Sequence, residues 1–283
     1  MMEIEWGSES DTGRIRANNE DSVLIPAGLN LAVLCDGMGG HRAGEVASSL
    51  AVESLAASFK ASIRQERDAA GPTDGALVSP GRGPDSPVRR ALFEAAGAAN
   101  SAVYAKAQSS ADYSGMGCTL VALHLDAGLA SFVTVGDSRL YLLRGGKLFQ
   151  ISEDHTRLRM LERMGVSIDS IDARRIRGVL TRAVGTHPDL EVDCGGGQTV
   201  DGDLWLRCSD GLTDELDNDA IRSILRGSKD PRSAARVCVQ RAVEAGGRDN
   251  VSVIVARVSD GPKAADQIGL PKIETFQLGA GPA

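Results

Sequence analysis

Eight apolar runs of strand length, with helical patterns confined to the gaps between groups of them, do most to limit the folds open to this chain. They are 22–25, 29–36, 118–126, 129–137, 139–144, 147–151, 203–210 and 251–258. Asp126–Gly128 and Gly145–Gly146 carry hairpin turn chemistry, so 118–151 reads as an antiparallel meander of four strands. From 44 to 60, Ala47, Leu50, Ala51 and Leu55 recur at helical spacing. Residues 88–108 are alanine-rich, with Leu92, Phe93, Ala96 and Val103 as the larger apolar members. From 231 to 245, Asp230 can cap, Pro231 suits the first helical position, Ala235, Cys238, Val239 and Ala242 form a stripe, and Gly246 and Gly247 end it. A further helix is expected over 156–164. Strands with two long helices, then a meander, then helices and two strands make an α+β order rather than repeating βαβ units. The expected architecture is two packed sheets flanked by helices.

The 283 residues allow one large domain or two small ones. A 42% apolar fraction is enough to bury a substantial core. The net charge of -7 argues against a nucleic-acid or anionic-membrane partner. No run approaches the roughly 18 apolar residues of a spanning helix, and the acidic start, "MMEIEWGSES", lacks an apolar signal core. Cys35, Cys118, Cys194, Cys208 and Cys238 are odd in number, widely spaced and without a CxxC pair, which excludes a disulfide framework or zinc site as the organising feature. A cytoplasmic protein is expected. Two segments read as loops: 69–87, rich in Gly, Pro and Ser, and the tail 259–283, expected to be a loosely packed end.

Aspartates mark the ends of the apolar runs. Asp36 closes "LAVLC" and precedes Gly37, Asp137 closes "SFVTVG", Asp210 closes "LWLRCS" and precedes Gly211, and Asp21 and Asp249 each stand just before a strand. Any one alone reads as a turn residue. Five abutting strands suggest a shared rim, where carboxylates raise one another's pKa unless a cation neutralises them. All-oxygen ligands point to Mg²⁺ or Mn²⁺ rather than zinc. Gly37 would let its carbonyl approach such an ion. Two ions sharing a carboxylate suit in-line attack of an activated water on phosphorus. Arg14 and Arg16 precede Asp21, and a guanidinium can grip phosphate oxygens bidentately. Arg16 is favoured because "RANNED" runs directly into the acidic pair.

The motifs "RANNEDSVL" (16–24), "CDGMGGHRAGEVAS" (35–48), "GCTL" (117–120), "GDSRLYLLR" (136–144), "DHT" (154–156), "LTRAVG" (180–185), "CSDGLTD" (208–214) and "GGRDNVSVIV" (246–255) follow one another in order. Together they resemble the metal-dependent protein serine/threonine phosphatases of the type 2C (PPM) family, bacterial branch, over about residues 5–258. The resemblance implies an αββα sandwich of two antiparallel sheets with helices on both faces. It implies two Mn²⁺ or Mg²⁺ ions per chain, with a third, weaker site, and direct hydrolysis of phosphoserine or phosphothreonine. By position, Asp21, Asp36, Asp210 and Asp249 match the dinuclear-site carboxylates, Gly37 the carbonyl ligand, and Glu20 an acidic residue reaching the ions through water. Arg16 matches the phosphate-binding arginine, Asp137 and Asp214, with Asp210 shared, the third site, and Asn250 a supporting residue. Residues 156–180 match a flap beside the site. The implied partners are phosphorylated proteins, substrates of a Ser/Thr kinase, and a monomer is expected.

Met38 departs from the family, many of whose eukaryotic members have a histidine there as proposed general acid. His41 stands three residues on, at an expected helix start. Arg174, Arg175 and Arg177 cluster in the flap and read either as a solvated face or as favouring acidic substrates. Two rival functions remain: a non-catalytic module of the same fold, disfavoured because the core aspartates are all present, and a phosphatase acting on other phosphoesters.

Overall fold

The computed structural model describes residues 2–39, 43–70, 86–166, 176, 178–261 and 269–278. Two antiparallel sheets form the centre. In one, β1 (Glu3–Asp11), β11 (Val251–Ser259), β10 (Leu204–Cys208), β7 (Arg139–Arg144) and β8 (Lys147–Gln150) lie side by side in that order. In the other the order is β12 (Lys272–Leu278), β9 (Leu190–Gln198), β6 (Leu129–Val135), β5 (Leu120–Asp126), β3 (Leu31–Met38) and β2 (Asp21–Leu24), with β4 (Gly117–Cys118) pairing to the end of β3.

Strand alternation sorts the side chains into layers. Leu31, Val33 and Cys35 of β3, with Leu120, Ala122, Val133 and Val192, face α1 (Ala43–Ala70) and α2 (Pro87–Gln108). Alanines 47, 51, 91, 95 and 99, all buried, let these helices approach closely, and Phe59 and Leu92 fill the remaining space. On the far side, Tyr141, Leu206, Val253 and Val255 face α5 (Asn218–Gly227) and α6 (Pro231–Ala245). Between the sheets lie Leu123, Phe132, Leu142, Trp205 and Val258. Each such large apolar side chain contributes about 1.5–3 kcal/mol on burial. The layers are therefore α, β, β, α.

Helix starts follow the expected chemistry. Asp230 accepts from the Ser233 amide at 2.7 Å and Pro231 opens α6, while Ser86 accepts from the Arg89 amide at 3.3 Å, each cap being worth about 1 kcal/mol. α3 (Arg157–Arg163) and the single turn α4 (Asp210–Thr213) complete the helices used below.

Three expectations change. The segment 118–151 is not one meander: β5 and β6 form a hairpin in one sheet, β7 and β8 a hairpin in the other, and the chain crosses between sheets at 136–138. Residues 272–278, expected in a loosely packed end, pair along the whole of β12 with β9. α1 runs to Ala70, ten residues past the expected 60, because nothing in 61–70 breaks a helix. β1, β9 and α5 were not legible as elements at all.

Candidate metal centre

The aspartates converge at one end of the sandwich, where both sheets contribute. Asp21 and Asp36 stand directly opposite one another in the β2–β3 register. Asp36 lies inside β3, which continues two residues further to Met38. Asp210 opens α4 just after β10, and Asp249 precedes β11. Asp137 occupies the crossing between β6 and β7. Asp214 follows Asp210 by one helical turn and donates its amide to the Asp210 carbonyl at 2.8 Å.

Polar supports fix this arrangement. Ser209 Oγ donates to Asp21 Oδ2 at 2.8 Å and accepts from the Ser252 amide at 3.0 Å, tying one sheet to the other. The Asp36 amide donates to Thr119 Oγ1 at 2.9 Å, and that hydroxyl meets Ser138 Oγ at 2.7 Å. Asn250 Oδ1 accepts from the Glu20 amide at 2.8 Å while its Nδ2 donates to the carbonyls of Thr12 and Asn18, each at 2.9 Å. Thr119, Ser138, Ser209 and Ser252 went unassigned on sequence. All four do lie inside quoted motifs, and that was the available signal.

Gly37 is needed for closeness rather than for a left-handed backbone. A Cβ on it would fall 2.1 Å from the Gly44 carbonyl oxygen and 2.6 Å from that of Glu20. The start of α1 thus packs backbone to backbone on the end of β3. Gly211 is held similarly, 2.0 Å from the Asn250 carbonyl oxygen by the same construction.

The electrostatics are those of uncompensated negative charge. Burial, then repulsion from Asp21, Asp210, Asp137 and Asp249, drives the Asp36 carboxyl far above the usual range. Burial pushes Asp21 up to about 7 against hydrogen bonds from Ser252 and Ser209. Burial and Asp210 push Asp137 up to about 8. Asp210 rises to about 6 through burial, Asp249 and Asp214, and burial raises Glu20. Asp21 Oδ1 and Asp210 Oδ1 are buried with no hydrogen-bond partner among the described residues. Arg16 bonds Asp249 at 2.6 Å, while Arg139, close enough to favour the Asp137 charge, is committed to Asp154 at 2.6 Å.

The profile of the Protein phosphatase 2C family matches residues 14–228. The chain belongs to the protein phosphatase 2C family. The chain is 37% identical over 258 residues to serine/threonine protein phosphatase PstP of Mycobacterium tuberculosis, a match covering 91% of this chain and 45% of the relative. It therefore spans about half the length of that relative. The serine/threonine phosphatase Stp of Listeria monocytogenes is 32% identical over 250 residues, covering 87% of this chain and 92% of Stp. Among solved structures, the catalytic domain of PstP in complex with two manganese ions superposes with a TM-score of 0.74 at 35% identity, covering 92% of this chain and 100% of that one.

The residues gathered at this rim fit a hard divalent cation. Partnerless buried carboxylate oxygens and mutually raised carboxyls are what a cation would relieve. Among the described residues no three His, Cys, Asp or Glu side chains form a ready-made cage.

The other candidate residues are placed less centrally. Arg14 packs its side chain and backbone on Gly247. The Met38 methyl lies against Gly117 at the β3–β4 pair. His41, Arg174, Arg175 and Arg177 lie outside the described residues. His124 is buried against Phe59, with ring centroids 5.3 Å apart. A cleft of about 790 Å³ lies beside α3, lined by Arg159, Met160, Arg182 and Glu191 among others, but by none of the site aspartates. No described helix is long and apolar enough to cross a membrane.

Proposed function

We propose that this domain hydrolyses phosphoserine and phosphothreonine in proteins, reversing a bacterial Ser/Thr kinase. In this reading Asp21, Asp36, Asp210, Asp249 and the Gly37 carbonyl hold two Mn²⁺ or Mg²⁺ ions. Asp137 and Asp214, with Asp210 shared, hold a third more weakly. The carrying observation is the set of buried, partnerless carboxylate oxygens from both sheets meeting at one rim. Bound there, such ions lower the pKa of a water and offset charge on the transferring phosphoryl group.

The chain's own residues supply the rest. Asp36, which Asp21, Asp210, Asp137 and Asp249 all repel, would be the carboxylate most relieved by a bound ion. Arg16, about half exposed at the rim, offers a guanidinium for the substrate phosphate oxygens. Glu20 orients water at the rim, and Asn250 locks the Glu20 segment against β11. Met38 carries no transferable proton, so it is not the donor to the leaving alkoxide. The names of PstP and Stp support protein phosphoserine and phosphothreonine over small phosphoesters.

The test is Mn²⁺-dependent release of phosphate from a phosphothreonine peptide. Activity is expected with Mn²⁺ and lost in excess EDTA. Full turnover in EDTA would overturn the metal mechanism. Phosphoproteomes of cells expressing the wild type or its Asp210→Ala form would name the substrates.

A further inference from the structure

The loop between β1 and β2, which carries Arg16, is pinned to the segment that carries Asp249. The Gly13 amide donates to Asp11 Oδ1 at 2.7 Å, and the Arg14 amide donates to the Gly247 carbonyl at 2.7 Å. Asn250 Nδ2 donates to the carbonyls of Thr12 and Asn18, one on each side of the turn. Gly13 has φ +77°, and a Cβ on it would fall 2.3 Å from the Asp249 carbonyl oxygen. The loop is therefore packed backbone to backbone on 247–250, and its fastenings lie both before and after residue 15.

Ile15 stands on this fixed loop and is 72% exposed, more than any other large apolar residue among those described. It is also the one large apolar side chain between residues 12 and 20. A single exposed apolar residue is ordinary on a protein surface. Two observations set this one apart. The pinned backbone keeps Ile15 from folding down to cover itself. Its neighbours are Arg14, which packs on Gly247, and Arg16, whose half-exposed guanidinium meets Asp249 at the rim. An apolar side chain is thus held in water one residue from the proposed phosphate anchor.

Consecutive residues of any chain lie about 3.8 Å apart at Cα. A peptide whose phosphate reaches Arg16 carries the residues on either side of its phosphoresidue past the rim at that same spacing. We propose that Ile15 is a specificity-determining residue that favours an apolar side chain directly beside the phosphoserine or phosphothreonine of the substrate. The proposal deepens the phosphoprotein reading of the site and rests on it. Arg16, Asp249 and Glu20 are charged and bear on phosphate, ions and water, whatever sequence surrounds the phosphoresidue. Ile15 instead offers surface that an apolar neighbour removes from water, together with its own. That contact lies away from the reacting atoms, so it strengthens binding without favouring the transition state over the bound substrate.

Steady-state kinetics on a pair of phosphothreonine peptides test it. The peptides differ only in the residues on either side of the phosphothreonine, leucine in one and serine in the other. p-Nitrophenyl phosphate is the third substrate and has no neighbouring residue. The wild type is expected to prefer the leucine peptide about 10-fold in kcat/KM, the scale on which a few methylenes discriminate, with the difference carried by KM. Ile15→Ser should bring that ratio close to parity through a loss on the leucine peptide, and Ile15→Leu should keep most of it. A wild type indifferent to the neighbours, or an Ile15→Ser ratio equal to that of the wild type, overturns the proposal. So does an equal loss on all three substrates, which would make Ile15 a support for Arg16 rather than a contact to the peptide. Turnover of p-nitrophenyl phosphate with neither peptide accepted defeats the phosphoprotein reading itself, and the proposal with it.

Discussion

Arg16 Nη2 lies 2.6 Å from Asp249 Oδ2, joining the proposed phosphate anchor to a proposed ion ligand. The Asp249 hydrogen bond and charge, with Glu20 and Asp36 beyond it, raise the Arg16 pKa despite partial burial, so the guanidinium stays charged. The two roles compete for one carboxylate. Arg16→Ala is expected to lower kcat/KM about 10–100-fold, the range for a lost charge-assisted hydrogen bond. Mn²⁺ affinity should hold or tighten, because Asp249 is released. Arg16→Lys should recover little, since an ammonium cannot pair bidentately. Weaker Mn²⁺ binding in Arg16→Ala would contradict the competition.

Asp36→Asn and Asp210→Asn remove charge where charge is costly in the metal-free chain. Both are expected to raise Tm without metal, while losing roughly 10³-fold or more in turnover. Added Mn²⁺ should raise the wild-type Tm and move that of Asp36→Asn much less. Thermal melts with Mn²⁺ or with EDTA read both effects, and equal Mn²⁺ shifts in all three proteins would refute the assignment.

Gly37→Ala places a methyl where only 2.1 Å separates it from the Gly44 oxygen. Parting β3 from α1 should cost about 1–3 kcal/mol, and should also weaken Mn²⁺ binding because Glu20 shares the contact. Urea midpoints and calorimetry give the two numbers. A variant as stable as wild type would mean the packing there is looser than described.

His124 gives a pH dependence remote from the site. Burial holds its pKa down to about 4 in the folded protein, opposed by Asp126, whereas an unfolded chain protonates near about 6.5. Between those values the unfolded state binds more protons, so stability falls as pH drops from about 6.5 to about 4, by up to roughly 3 kcal/mol. His124→Phe should flatten that acid limb. Denaturant midpoints at about pH 7 and pH 4.5 would expose the difference, and parallel losses in both proteins would discount His124 as the cause.

Arg207 is fully buried, all three of its guanidinium nitrogens lack a hydrogen-bond partner among the described residues, and burial lowers its pKa to about 9. Its ring contact is Trp6, 4.9 Å from the guanidinium carbon. A cation–π contact returns about 2 kcal/mol when desolvated, less than the several kcal/mol that burying the charge costs. Arg207→Met is therefore expected to raise stability by about 1–4 kcal/mol, read as a higher urea midpoint. A lower midpoint would show an unseen partner.

The aspartates were legible because each abuts an apolar run, and strand ends must meet at a rim. What was hidden has physical reasons. β1, "EIEWGSESD", has only two large apolar residues, and β9, "LEVDCGGGQ", contains three successive glycines, so neither carries a strand's hydrophobic signal. The jump of the chain between sheets at Gly136–Ser138 looks in sequence like another hairpin turn, since short turns serve both. The supports Thr119, Ser138, Ser209 and Ser252 act through single hydroxyls, and one hydroxyl among many says nothing until its partner is placed.

Asp21 and Asp36 belong to one sheet, Asp210 and Asp249 border the other, and Asp137 lies where the chain passes between them. An ion held by both sets is a rivet through the two leaves of the sandwich. The reaction centre and the fastening at that end of the molecule are then one object, so stripping the ions should let the leaves part first at this rim while the far end stays closed.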